Sequence, residues 1–422
     1  MPAAQACPAP PRPPLWRAIL NRRMLVSLVM GFSCGLPLLL TITLLQAWMK
    51  DEGIDLTLIG LMALVGLPYT IKFLWAPLLD RYTPPFLGRR RGWMLVAQVL
   101  LMAAIVLLGL SSPGRHPWLM AAAAFLVTFF SASQDIVVDA YRREDLSDQE
   151  LGLGSSFYVN GYRVGMLLAS GGGLLLADHL PFSAVYALMA ACLLPGVLVT
   201  LLTPEPPLPA DRPRSLGQAV LEPFREYFGR PQALLILGFI LTYKIGESMA
   251  TSMTTPFYLD LGFSKSEIGA VVKLFGFGAT LGGSFLGGLL MLRLGTGRCL
   301  WGFGILQGLA TLGFTALAHI GHHVPALAAV ITLENVSAGM GTAAYMAFMA
   351  QQTNKRFTAT QYALLSSLMG IPRVLASAPT GLLAKHLGWS WFFIFCTLAA
   401  LPGLALLLKL APGKDQPAPE TA

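Results

Sequence analysis

Residues 78–93 read LLDRYTPPFLGRRRGW, an acid followed by a basic cluster, and an apolar run lies on either side. Upstream, 56–79 is LTLIGLMALVGLPYTIKFLWAPLL; downstream, 93–111 is WMLVAQVLLMAAIVLLGLS. Each run is about 20 residues, the length a helix needs to cross about 30 Å of hydrocarbon. The same pattern recurs along all 422 residues, of which 55% are hydrophobic and 12% charged. With a mean hydropathy of +0.63, the chain has more apolar surface than a soluble core could bury, so the expected solvent is a bilayer.

The expected fold is all-α and membrane-embedded, with about twelve transmembrane helices in two six-helix bundles. Spans are placed at 24–48, 56–79, 93–111, 118–141, 151–177 and 182–202, then at 232–258, 266–292, 299–318, 324–352, 360–384 and 390–409, each end good to about 2–4 residues. A cytoplasmic tail (1–23), a polar Pro-rich linker (203–231) and a second cytoplasmic tail (411–422) complete the division. Nothing follows Leu410 but a short polar stretch, so no further span is expected, and the Pro-rich start lacks the apolar core of a signal peptide.

Charge supports this map. Twenty of the 29 Lys and Arg residues fall in loops and tails on one side, four on the other and five inside spans. Short cytoplasmic loops hold the cations, so both termini are expected inside the cell. The net charge of +8 is then a matter of orientation and lipid contact and gives no ground for nucleic-acid binding. The cysteines are scattered in spans and tail, so no disulfide or metal framework is expected.

Two sets of six spans about a cytoplasmic linker resemble the major facilitator superfamily. In that family the loop after the second span carries an acid, a glycine and basic residues; Asp80, Arg81, Gly88, Arg89, Arg90 and Arg91 match, with extra residues between. Such a loop can form a latch that holds one access state and releases in another; the plainer reading is positive-inside topology.

An ionisable side chain within a span costs at least about 2.5–3.5 kcal/mol on insertion scales, so those that persist face a partner or a wet cavity. Nine do so here: Lys72, Asp135, Asp139, Arg163, Lys244, Glu247, Lys273, Glu334 and Arg373. In the fourth span (SASQDIVVDAYRRE), Asp135 and Asp139 share a helix face beside Gln134. Arg163 and Lys72 are candidate compensating cations, and an acid held there suits proton coupling. Asp139, nearer the cytoplasm, is assigned to the latch or to a structural pairing with Arg142 or Arg163. In the second half Lys244 and Glu247 lie three apart, Lys273 faces from the next span, Glu334 is followed by Asn335, and Arg373 stands in an apolar run. Five cations against four acids favour an anionic substrate. The aromatic residues at this depth, Tyr69, Tyr158, Tyr162, Tyr243 and Tyr345, either stack on sugar faces or pack. Gly31, Gly35 and Pro37 in the first span either allow close packing or bend for gating.

The segments GLPLLLTITLLQAWM, KFLWAPLLDRYTPPFLGRRRGW, SASQDIVVDA, GYRVGM, YKIGE, ENVSAGMGT and QYALLSS resemble the AmpG muropeptide permease family over nearly the whole chain. The resemblance implies a proton-driven, inner-membrane importer of GlcNAc-1,6-anhydro-MurNAc peptides for cell-wall recycling, indirectly linked to β-lactamase induction. It carries the fourth-span motif onto Ala132, Ser133, Gln134 and Asp135, together with Gly31 and Gly35. The expected partners are that substrate, protons and lipid, for a monomer without cofactor. Competing readings are a facilitator for another anionic metabolite such as acetyl-CoA, and a membrane sensor or scaffold without transport. No nucleophile with a base, metal-ligand cluster or phosphate-cradling loop suggests an enzyme.

Overall fold

A computed structural model describes residues 18–207, 216–377 and 379–410. Among them, nine helices are long and apolar enough to cross a membrane: Arg22–Asp51, Arg89–Leu110, Pro117–Asp145, Phe182–Leu202, Ala233–Asp260, Ile268–Leu294, Thr296–Ile320, Val324–Gln351 and Thr380–Leu410. The other three expected spans are interrupted segments. The second, over 56–81, alternates short α and 3-10 turns. The fifth carries a π turn, Leu168–Gly172, between Leu151–Leu167 and Gly173–Ala177. The eleventh begins as Thr358–Leu375 and contains Pro372. The expected boundary between the last two spans falls at Gly388, where φ is +73° and the helix breaks. A π turn, Leu40–Leu44, follows Pro37 in the first span, because proline removes an i→i−4 hydrogen bond and leaves the ladder to re-register. Large apolar side chains remain exposed, Leu110, Leu175, Leu234 and Leu408 among them, as lipid-facing helices require.

In lipid the apolar effect does not drive helices together, so close backbone contact must. The first and fifth spans meet through two glycine pairs. A Cβ at Gly31 or Gly35 would overlap the carbonyl oxygen of Tyr158 or Tyr162, and one at Gly161 or Gly165 would overlap that of Leu28 or Phe32. Gly31 and Gly35 therefore serve close packing. In the second half the eighth and tenth spans repeat the device, with Gly283 against the Val336 backbone and Gly339 against that of Thr280.

The bundles join toward the end that holds the basic loops, called here the basic end. Ser156 Oγ of the fifth span donates to the Ser284 carbonyl of the eighth at 2.5 Å, and Gly288 leaves room for that serine. Arg142 of the fourth span donates to Tyr362 Oη of the eleventh at 2.9 Å. Asp80, ending the second span, accepts from the Thr360 amide at 2.9 Å and its hydroxyl at 2.8 Å. The inter-bundle chain forms a helix, Leu216–Phe228, fastened by Glu222 to Arg356 at 2.9 Å and by the Pro223 carbonyl to Gln361 at 3.2 Å.

Gly161→Val puts two γ carbons into the Leu28 backbone and is expected to destabilise the protein by about 3 kcal/mol or more. Gly278→Ala, with nothing within 4 Å of the added carbon, is expected to be near neutral. Thermal unfolding of the two variants in detergent, read by the monodisperse fraction, checks the contrast.

Candidate functional site

The acidic loop after the second span folds into a buried network. Gly88, at φ +88°, starts the third span, and a Cβ there would collide with Glu205. Glu205 instead caps that helix, accepting from the Arg90 amide at 2.8 Å and the Arg91 amide at 3.0 Å. The fully buried Arg90 reaches Asp80 Oδ1 at 2.8 Å and Glu144 at 2.6 Å, and Arg89 reaches Glu144 at 3.1 Å. One carboxylate, Asp80, thus serves an arginine of its own bundle and the amino end of a helix in the other, where free N–H groups and the helix dipole favour negative charge. Arg91 turns elsewhere and donates to the Thr200 and Leu201 carbonyls at 2.9 and 2.6 Å, closing the end of the sixth span. The Arg81 guanidinium lies over the ring of Tyr82, 5.6 Å from its centroid.

Asp139 does not join that network. It pairs with Arg142 at 3.0 Å, and Arg142 also donates to Ser155 at 2.7 Å and sits 4.5 Å from the Tyr158 ring centroid. Sequence position puts Arg142 among the loop cations, yet its side chain is 2% exposed. It is a buried cation that the charge balance drawn from sequence leaves out, and it neutralises one of the four acids counted there.

One turn deeper, Asp135 faces Lys72 of the second span, with Oδ2 and Nζ 3.9 Å apart, at the outer limit of an ion pair. Asp135 Oδ1 is buried without a hydrogen-bond partner. Tyr69 Oη donates to Ser131 at 2.9 Å and Trp75 Nε1 to Ser133 at 3.0 Å, so the second and fourth spans are stitched on both sides of the pair. The neighbouring Gln134 points away: it is fully buried and donates to Cys34 Sγ of the first span at 3.4 Å. Its Nε2 is thus turned to helix packing, while its Oε1 is buried without a hydrogen-bond partner. Tyr162 and Arg163 are half-buried on the fifth span, with the Tyr162 ring 6.1 Å from that of Tyr158.

In the second bundle the seventh span is interrupted at Tyr243 and Lys244. Lys244 pairs with Glu247 and donates to Thr342 at 3.1 Å. Glu334 accepts from Gln307 of the ninth span at 2.7 Å. Two expected members do not join this cluster. Lys273 is exposed, and its side chain makes no hydrogen bond or ion pair among the described residues. Asn335 is occupied by packing, accepting from Thr280 at 2.8 Å and donating to the Ile331 carbonyl at 2.9 Å. The Arg373 side chain lies outside the described residues. Tyr243 and Tyr345 stack on each other with centroids 5.5 Å apart and donate to the Leu300 and Ile240 carbonyls, so both are packing residues.

Glu144, Glu205, Arg142, Thr360, Tyr362 and Gln307 belong to these networks although sequence reasoning does not single them out as site residues. Two leave a trace in the sequence: Glu144 follows an arginine pair at a helix end, and Gln307 is the one strongly polar side chain between Trp301 and Ala310.

The Major Facilitator Superfamily model matches residues 23–320 and again 242–422. The anhydromuropeptide permease of Escherichia coli K12 is 47% identical over 388 residues, covering 92% of this chain and 79% of the relative. In structure the chain is similar to the E. coli fucose:proton symporter FucP, with a TM-score of 0.73 at 14% identity over 94% of this chain and 100% of that one. It is also similar to the proton:xylose symporter XylE, with a TM-score of 0.67 at 12% identity over 93% and 96%. With a family model spanning both halves and close identity along nearly the whole chain, this protein belongs to the AmpG muropeptide permease family of the major facilitator superfamily.

Proposed function

We propose that this protein is a proton-coupled permease that imports GlcNAc-1,6-anhydro-MurNAc peptides across the bacterial inner membrane for cell-wall recycling, and so feeds the signal that induces β-lactamase. The observation that carries the substrate assignment is the 47% identity to the E. coli anhydromuropeptide permease across both bundles. The bias of basic residues toward one end supports an orientation with the basic end and both termini in the cytoplasm. On this reading, bundles 24–202 and 232–410 rock about a midplane site as a monomer, with 203–231 as the cytoplasmic tether.

Asp135 and Lys72 are assigned to coupling. Their 3.9 Å separation and the unpartnered Oδ1 leave the carboxylate incompletely neutralised in a low-dielectric wall, which is where a proton gains most. Protonation would release Lys72 toward a substrate carboxylate, and Arg163 supplies a second cation on the fifth span. Asp80, Arg90, Glu144 and Thr360 act as the inner gate, with Asp139, Arg142 and Tyr362 as its second clasp. Import requires both inter-bundle contacts to break after substrate is bound.

Uptake of labelled anhydromuropeptide into proteoliposomes is expected to accelerate under an inward proton gradient, and Asp135→Asn is expected to reduce it to the gradient-free level. Gradient-driven uptake that survives Asp135→Asn would move the coupling role elsewhere; no uptake by folded wild type would sink the substrate assignment. For the gate, Asp80→Ala is expected to raise amide exchange at Ala359 and Thr360 by about tenfold or more, the equivalent of about 1.4 kcal/mol, as read by hydrogen–deuterium exchange in detergent. Unchanged protection would remove Asp80 from the gate.

A further inference from the structure

Glu334 and Gln307 present an unusual pattern of hydrogen bonding inside the second bundle. Gln307 Nε2 donates to Glu334 Oε1 at 2.7 Å. The other oxygen of each side chain, Glu334 Oε2 and Gln307 Oε1, is buried and has no hydrogen-bond partner. Both orphans are acceptors, on two side chains already joined by one hydrogen bond. A single proton on Oε2 converts one acceptor into a donor, and the acid then gives O–H to the amide carbonyl while receiving N–H from the same amide. A buried polar atom left unpaired costs about 1–3 kcal/mol, and among the described residues no side chain donates to either orphan.

The surrounding charges agree. The ionisable groups facing Glu334 are Lys244, Glu247 and Tyr258 from the seventh span and Cys396 from the twelfth. Lys244 is committed to Glu247 and Thr342, and Thr311 gives its hydroxyl to the backbone carbonyl of Gln307 at 3.0 Å. An ionised Glu334 would therefore be a buried charge without a cation of its own, competing with Glu247 for one ammonium. A cavity lined by Lys244, Glu247, Gln307 and Thr311 adjoins the amide that holds Glu334.

We infer that Glu334 is a proton-binding site of the second bundle, separate from Asp135, with Gln307 as the residue that holds its neutral form and Lys244 as the cation that shifts toward it when the proton leaves. The proton binds on Oε2 and exchanges by way of the cavity beside Gln307. Two states follow, Glu334–H with a closed Lys244–Glu247 pair, and Glu334 carboxylate sharing Lys244 with Glu247. Because Lys244 sits at the break in the seventh span, that exchange alters the anchoring of a helix interruption. The inference deepens the reading of proton-coupled transport, on which its transport role rests.

The test is infrared titration of the purified full chain in lipid. A carbonyl band of a protonated carboxylic acid is expected that weakens as pH rises, disappears in Glu334→Gln and moves to higher frequency in Gln307→Leu, where the hydrogen bond to the acid carbonyl is lost. A spectrum unchanged by Glu334→Gln, or a band that never titrates, would overturn the inference. Should Glu334→Gln fail to fold, an unshifted band in Gln307→Leu would overturn it equally. In proteoliposomes Glu334→Gln, an isostere of the neutral acid, is expected to keep substrate exchange and to lose gradient-driven accumulation; a purely structural role would leave both intact. If wild type itself ignores the gradient, the proton-coupled function fails, while the infrared result still decides whether Glu334 holds the proton.

Discussion

Asp80 carries a buried negative charge that belongs to both bundles. Its carboxylate is held by Arg90 from its own side and by the Thr360 amide and hydroxyl from the other, so neither bundle satisfies it alone. Removing one partner of a buried pair costs about 3–5 kcal/mol because the other charge stays stranded. A helix amino end near a carboxylate adds up to about 2 kcal/mol in a partly buried setting. These sums are large enough to hold one end of the molecule shut and small enough to be offset by contacts made elsewhere, which is the balance a two-state carrier needs. Two further inter-bundle hydrogen bonds, Arg142 with Tyr362 and Ser156 with Ser284, lie in the same half of the molecule and reinforce the same state.

Away from that end, charge is treated differently. Asp135 and Glu334 each have one oxygen satisfied or paired and one with no hydrogen-bond partner, whereas Asp80, Asp139 and Glu144 are met by arginines at hydrogen-bond distance. Arginine stays charged, so it suits a contact that must hold. Asp135 instead faces a lysine, Lys72, and Glu334 an amide, Gln307. The arginine-held acids lie at the basic-end contact between the bundles, and the incompletely satisfied ones lie in the bundle interiors.

The architecture is legible in the sequence because bilayer thickness sets a length scale that apolar runs must match, and because basic loops mark one side. Even the break at Gly388 shows as a weak boundary. Depth along a helix is legible too, which is why Asp135, Lys72, Lys244, Glu247 and Glu334 stand out. Rotation about the helix axis is harder to read. Gln134 and Asp135 are adjacent in sequence, yet one turns to Cys34 and the other to Lys72; Asn335 and Glu334 divide in the same way between packing and the polar cluster. Arg142 misleads for a related reason: proximity to a loop suggests solvent, whereas the approach of the eleventh span buries it.

The most direct test of a basic-end gate working against an opposite-end opening is a pair of distance measurements by spin labels across the bundles. Labels at Gln149 and Arg293 report the basic end, and labels at Lys50 and Leu259 the opposite end; all four positions are exposed. On adding anhydromuropeptide at acid pH to protein in lipid, the first distance is predicted to lengthen and the second to shorten. Two distances that stay fixed, or that lengthen together, would contradict alternating access through the Asp80 gate.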